Sequence, residues 1–138
     1  MKKTTIIFLL ILTIILGYFI WDSLELRRLE TAAKEISPLA KRTIESLYMG
    51  ESKFINAISG TDEVKGVLQE RMKHLQNIDD YSLDVMQTMV EKINVYEIII
   101  LSTVKTAEAY AELYEYRLKF KKKHKKWIIV DFKYRRLN

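Results

Sequence analysis

The chain has no cysteine. That removes a disulfide framework, thiolate metal ligands, a cysteine nucleophile and an acylated lipoprotein cysteine at once. It has one proline and four glycines in 138 residues, too few for collagen-like, low-complexity or linker-rich chains. It contains no Gly-rich phosphate loop, HExxH, GxSxG or EF-hand pattern. The two histidines, His74 and His124, lie too far apart for a metal-ligand spacing. What remains is 49% hydrophobic and 30% charged, the balance of a folding chain rather than a disordered one. The length bounds it to one domain.

Charge is missing altogether from Thr4 to Trp21, an eighteen-residue run reading TTIIFLLILTIILGYFIW. As a helix it would be about 27 Å long, close to the ~30 Å hydrocarbon core of a bilayer. Twelve of these residues are Leu, Ile or Phe. Together they contribute about −4 to −7 kcal/mol towards insertion. Thr4, Thr5 and Thr13 can bond back to helix carbonyls, and Tyr18 and Trp21 suit the headgroup layer at the distal end. A cleaved signal peptide would need a small-x-small site just after the run. Asp22-Ser23-Leu24-Glu25-Leu26 offers none, and Thr31-Ala32-Ala33 lies too far downstream. Residues 1–21 are therefore read as an uncleaved signal-anchor spanning the cell membrane through residues 4–21. Lys2 and Lys3 favour an inside N-terminus, with Arg27 and Arg28 as counterweight, so the rest is expected outside the cytoplasm.

Residues 22–37 are charged and helix-favouring, a stalk or linker with Leu26, Leu29, Ala33 and Ile36 recurring at three and four. Ser37-Pro38 has the form of a helix start, and a helix is expected from Pro38 to about Tyr48. Gly50 interrupts it. A short helix follows over about 51–58, then a Ser59-Gly60-Thr61-Asp62 turn. A third helix over about 62–76 carries Val64, Leu68, Met72 and Leu75 on one stripe. Alternation from Tyr81 to Met89 marks a half-buried strand. Ile93–Leu101 reads as a second strand, Ser102–Thr106 as a turn, and Ala107–Phe120 as a third strand. Lys121–Lys126 is a charged turn, and Trp127–Tyr134 a fourth strand pairing back on the third. Helices first and antiparallel strands last give an α+β fold. About three helices cover one face of a curved antiparallel sheet, forming a cone-like domain over residues 38–138.

These residues carry a resemblance. A short helix reading FINAISGTDEVKGVL precedes the strands, and the chain closes on KKKHKKWIIVDFKY. This resembles small membrane-anchored bacterial domains of the nuclear transport factor two-like superfold, also called cystatin-like. The matching residues are Phe54, Ala57, Ile58, Gly60, Asp62, Trp127, Ile129 and Phe132. The similarity covers about residues 38–136. It departs from the family at the last hairpin turn, where Gly or Asn is usual and this chain has only Lys and His. The extracytoplasmic domain of type IV secretion and conjugation scaffold proteins is similar as well. The resemblance implies a helix-on-sheet fold. It also implies that some members bind small molecules, or act as enzymes, in the cone between helices and sheet.

The sequence nominates no catalytic residue, no metal ligands and no cofactor. Asp84, Glu97 and Asp131 lie in strand segments and are expected on the outward face, His74 near the surface, and His124 in solvent. Trp127, Ile129 and Phe132 are expected to fill the core. Charge asymmetry is the unusual feature. Arg117–Arg136 holds ten Lys or Arg and one acid, whereas Asp22–Tyr116 holds eleven and seventeen. Lys121, Lys122, Lys123, Lys125, Lys126, Arg135 and Arg136 are the candidates for contact with an anionic surface or a protein partner. Nucleic acid is not expected, and a homo-oligomer is left open. The sequence reads as a membrane-anchored extracytoplasmic binding or assembly module, not an enzyme. The alternatives are a scaffold subunit of a type IV secretion or conjugation apparatus and a small-molecule-binding or enzymatic cone.

Overall fold

A computed structural model of the chain describes residues 2–75, 78–106 and 111–138. Three helices are followed by four strands: α1 (Lys2–Met49), α2 (Ser52–Ile58), α3 (Asp62–His74), β1 (Tyr81–Lys92), β2 (Val95–Lys105), β3 (Ala111–Lys123) and β4 (Lys126–Arg136). The chain forms two compact units, Met1–Ala32 and Ala33–Asn138.

The first unit is helix. Every large apolar side chain from Ile6 to Trp21 is exposed. Its most apolar window has a mean hydropathy of 2.4 and no residue buried against protein. Thr13 Oγ1 donates to the Leu9 carbonyl at 2.8 Å, so the hydroxyl is satisfied within the helix.

In the second unit α1 changes character. Ile36, Ala40, Ile44 and Leu47 are fully buried at three-and-four spacing, with Thr43 beside them bonded to the Leu39 carbonyl at 2.7 Å. Ser37-Pro38 does not start a helix, contrary to the expectation: Pro38 lies inside α1. Proline costs a helix interior about 3 kcal/mol. Here the buried stripe continues on both sides of it, and Pro38 itself faces solvent. Packing outweighs the local punctuation. The helix stops at Gly50, whose φ of 72° is left-handed. Glu51 N–H then closes on the Ser46 carbonyl at 3.0 Å, a Schellman-type end.

Thr61 caps α3, accepting from the Val64 N–H at 3.2 Å, and Asp62 and Glu63 sit in its first turn. Val64, Leu68, Met72 and Leu75 are all buried, as their spacing predicts. Gln76, expected in the same helix, lies outside the described residues, as do residues 107–110 of the expected third strand.

The sheet is an antiparallel meander in the order β1-β2-β3-β4. Its inner face carries Tyr96, Ile98, Ile100, Ser102 and Val104 from β2, Tyr116, Leu118 and Phe120 from β3, and Ile129 and Phe132 from β4, all buried. A bulge explains the last spacing. Lys119 pairs with Asp131 but Phe120 with Ile129, so Val130 is the extra residue. Strict alternation would send Ile129 and Phe132 to opposite faces, and the bulge brings both inward. Several strand limits differ from the sequence reading: β1 runs on to Lys92, β3 to Lys123, and β4 from Lys126 to Arg136, which leaves little of the expected 121–126 turn. Ile93 is not in a strand but at the β1–β2 turn, 89% exposed beside Asn94 at φ 60°. Ser102–Lys105 is strand rather than turn, pairing with Tyr114–Ala111.

Gly60 fixes the helical layer to the sheet. Its N–H donates to the Ile129 carbonyl at 2.8 Å, next to an isolated Ser59–Ile129 bridge. A Cβ at Gly60 would lie 2.8 Å from that oxygen and 2.9 Å from Ile128 Cδ1, so only glycine fits.

Candidate functional site

The seven basic residues nominated from sequence do not form one patch. Residues 121–126 are all exposed, at the β3–β4 hairpin. The turn itself is only His124-Lys125, both at positive φ, 50° and 64°. This is the two-residue, doubly left-handed turn that Asn-Gly fits best; a lysine there costs about 1 kcal/mol. Arg135 and Arg136 lie at the other end of β4, about 30 Å away at strand rise. They are already engaged there: Arg135 Nε donates to Glu115 at 3.0 Å, and Arg136 pairs with Glu112 at 3.3 Å. Lys122 is engaged as well, 3.6 Å from Glu35 and over the Trp127 ring at 5.4 Å. Among the described residues, Lys121, Lys123, Lys125 and Lys126 have no ion-pair partner.

The outer face of the sheet is a lattice of opposite charges. Glu115 accepts from Arg117 at 2.8 Å and from Arg135, and both guanidinium groups hold its carboxyl below the usual carboxylate range. Arg117 also reaches Glu97 at 3.3 Å, and Lys119 bonds Glu91 at 2.9 Å. Glu97 lies on the outward face, as alternation predicts, but it is covered there. It is only 6% exposed, because Arg117 and Lys119 lie across it. Asp84 is exposed and Asp131 half-buried. His74 and His124 are exposed. A cleft of about 290 Å³ opens on this face between Glu115, Arg117, Lys133, Tyr134 and Arg135.

A buried polar cluster sits on the inner side, and sequence reasoning did not anticipate it. The Tyr48 hydroxyl lies 2.8 Å from Ser102 Oγ and 3.2 Å from the Tyr116 hydroxyl, which accepts from Arg71 Nη2 at 3.0 Å. Arg71 is 7% exposed. Its guanidinium lies over the rings of Tyr134 and Tyr114 at 4.3 and 4.6 Å. Among the described residues no carboxylate lies within ion-pairing distance of it. Burial, reinforced by Tyr48, pushes the Tyr116 hydroxyl well above the ordinary tyrosine value, so it stays protonated. The signal was available. Arg71 is seven residues after Val64 and three after Leu68, on the inward stripe of α3. Tyr48 stacks on Tyr81 at 4.3 Å, and both line an open cleft of about 580 Å³ with Met49, Ile78 and Asp79. Among the described residues no group of three or more His, Asp or Glu could hold a metal ion.

Trp127, Ile129 and Phe132 do line the core face. Ile129 and Phe132 are buried, and Trp127, half-buried, donates from Nε1 to Glu35 at 2.6 Å. That bond and Lys122 hold the Glu35 carboxyl below its ordinary value.

Three helices over one face of a bent four-stranded meander, closed by that final strand, decide the architecture. The fold is nuclear transport factor two-like. Among solved structures, the chain is similar to a designed nuclear transport factor two-like protein, with a TM-score of 0.57 and 14% identity over 77% of this chain and 97% of that one. No family model matches the chain, and no curated protein is similar to it in sequence. Within the nuclear transport factor two-like fold the inner polar cluster occupies the cone, and the lysine-rich hairpin lies at one end of the sheet. α1 is long and apolar enough to cross a membrane.

Proposed function

We propose that the chain is a single-pass membrane protein that displays its nuclear transport factor two-like unit outside the cytoplasm as a binding or assembly module, without catalytic chemistry. One observation carries the reading: the apolar window of α1 has no protein packed on it, while Ala33–Asn138 has a core of its own. An all-round apolar helix exposed to water is unfavourable, and lipid removes that cost. The interior of the cone supports the non-catalytic part. Tyr48, Ser102, Tyr116 and Arg71 satisfy one another there. Glu97, the one carboxylate among the buried described residues, lies on the outer face, tied to Arg117.

The test is alkaline carbonate extraction of the full chain from cells, combined with external protease on intact cells. Full-length chain retained in the membrane pellet, and cleaved beyond residue 22 from outside, is the expected result. A shortened chain in the soluble fraction would overturn the anchor. An untouched C-terminal unit would overturn the sidedness.

A further inference from the structure

The β1–β2 turn and the β3–β4 turn lie at one end of the sheet. Val95 pairs with Lys121, which places the Ile93-Asn94 turn beside the His124-Lys125 turn. That end carries Lys92, Lys121, Lys123, Lys125 and Lys126, all exposed, and among the described residues none has an ion-pair partner. This sets it apart from the outer face, where Glu91, Glu97, Glu112 and Glu115 answer the basic residues. Amid the lysines stands Ile93, 89% exposed, the most exposed large apolar side chain among the described residues. Both turns are held in left-handed backbone, with Lys125 in a conformation that glycine would adopt more cheaply. The arrangement keeps a cation at the tip where a neutral turn residue would fit better.

The same end is where the polypeptide comes into the unit. Glu35 of α1 meets Lys122 and Trp127 there, whereas Tyr48, near the end of that helix, meets Ser102 and Tyr116 further along the sheet. Glu35 follows Trp21 by fourteen positions, so the chain between them spans at most about 50 Å.

We propose that this end of the sheet is a second membrane-contact site: the five lysines engage anionic phospholipid headgroups and Ile93 inserts among them. The proposal rests on the anchored reading above. Tethering supplies a high effective concentration, so individually weak contacts suffice. An apolar residue ringed by lysines fits a leaflet better than a purely polar polyanion, because the leaflet offers both charge and hydrocarbon. Each lysine near an anionic leaflet multiplies the docked population about fivefold.

The test uses the full chain in lipid nanodiscs. The chain has no cysteine of its own, so Val90→Cys, exposed on β1 near the turn, takes a single donor dye. An acceptor is carried on the headgroups. Energy transfer is expected to be higher in discs of phosphatidylglycerol and phosphatidylcholine than in phosphatidylcholine alone, and to fall as salt is raised. Lys→Gln at 92, 121, 123, 125 and 126 together should abolish the difference, Lys→Arg at the same positions should keep it, and Ile93→Ser should reduce it. Equal transfer in neutral and anionic discs would overturn docking. So would a Gln variant of unchanged melting temperature that still responds to lipid charge. Either result would turn the lysines towards an acidic protein or polymer. Flotation of the same samples separates the two readings. A chain that floats with lipid but ignores its charge overturns docking alone. A chain left in the aqueous phase overturns the anchor and docking with it.

Discussion

Residues 4–21 and residues 33–48 lie in the same helix and face opposite demands. The first stretch is apolar on every side, and its large side chains are exposed. The second buries Ile36, Ala40, Ile44 and Leu47 on one side and turns Lys34, Glu35, Pro38 and Lys41 to solvent. Each contains a threonine bonded to the carbonyl four residues back, Thr13 to Leu9 and Thr43 to Leu39, at 2.8 and 2.7 Å. The backbone geometry is therefore shared, and the distribution of side chains around the axis differs. That distribution specifies the environment: an apolar stripe asks for a sheet, and an apolar cylinder asks for lipid.

The sharpest way to break the comparison is Leu10→Arg. On the anchored reading proposed above, it moves insertion unfavourably by about 3–4 kcal/mol, a large part of what the apolar run contributes. Carbonate extraction should shift the chain to the soluble fraction while circular dichroism of the C-terminal unit stays unchanged. Ile44→Ala should do the reverse. It removes a fully buried side chain and costs the unit about 2–4 kcal/mol, read as a lower denaturant midpoint, with extraction unaffected. Pro38→Ala sharpens the boundary between the stretches. It restores a helix donor at an exposed position and should raise stability by about 1–3 kcal/mol. If stability falls instead, the proline has a packing role that its exposure does not reveal.

Acid gives a smaller effect of defined sign. Trp127 holds Glu35, and Arg117 with Arg135 holds Glu115, below the ordinary value of 4.5. The stabilisation they provide is complete above pH 4.5 and is lost as the pH falls through their depressed values. The melting temperature of the C-terminal unit should drop in that window, and Glu115→Gln should flatten the drop. Membrane retention, set by a span without charge, should not change. The smallest effect belongs to the threonines. Thr43→Ala empties a buried position and costs about 1 kcal/mol, whereas Thr13→Ala should leave extraction unchanged.

What could be read in advance followed from patterns that one interaction decides. The stripe Val64-Leu68-Met72-Leu75 and the closing strand through Phe132 each rest on burial alone, and each appears in the fold; the uncharged run appears as a helix with no protein packed on it. Where two effects compete, local reading misjudged the outcome. Ser37-Pro38 looks like a helix start until Ile36, Ala40 and Ile44 are seen packing on the sheet. Ser102 looks like a turn residue until its hydroxyl meets Tyr48, 54 positions away in sequence. Glu97 points outward as alternation requires, yet it is covered, because the arms of Arg117 and Lys119 are long enough to cross it. The basic hairpin was visible as composition, but which of its basic residues remain unpaired depends on Glu35, Glu112 and Glu115, placed by tertiary structure. Arg71 went unnoticed because a charged residue on an inward stripe reads as an exception, and its tyrosine cage comes from strands forty or more residues later.

The bond from Gly60 to the Ile129 carbonyl also has a consequence for how copies of this chain behave in a crowd. A meander leaves two rims on which a foreign strand could add. The α2–α3 turn occupies the middle of one, since the β4 oxygen that would accept a newcomer is already taken. The other rim, β1, departs from even register at Val85/Gln87 and again at Val90/Lys92, which spoils it as a template. Sheet-to-sheet polymerisation is thus discouraged at both margins, by an intramolecular plug on one side and by uneven spacing on the other.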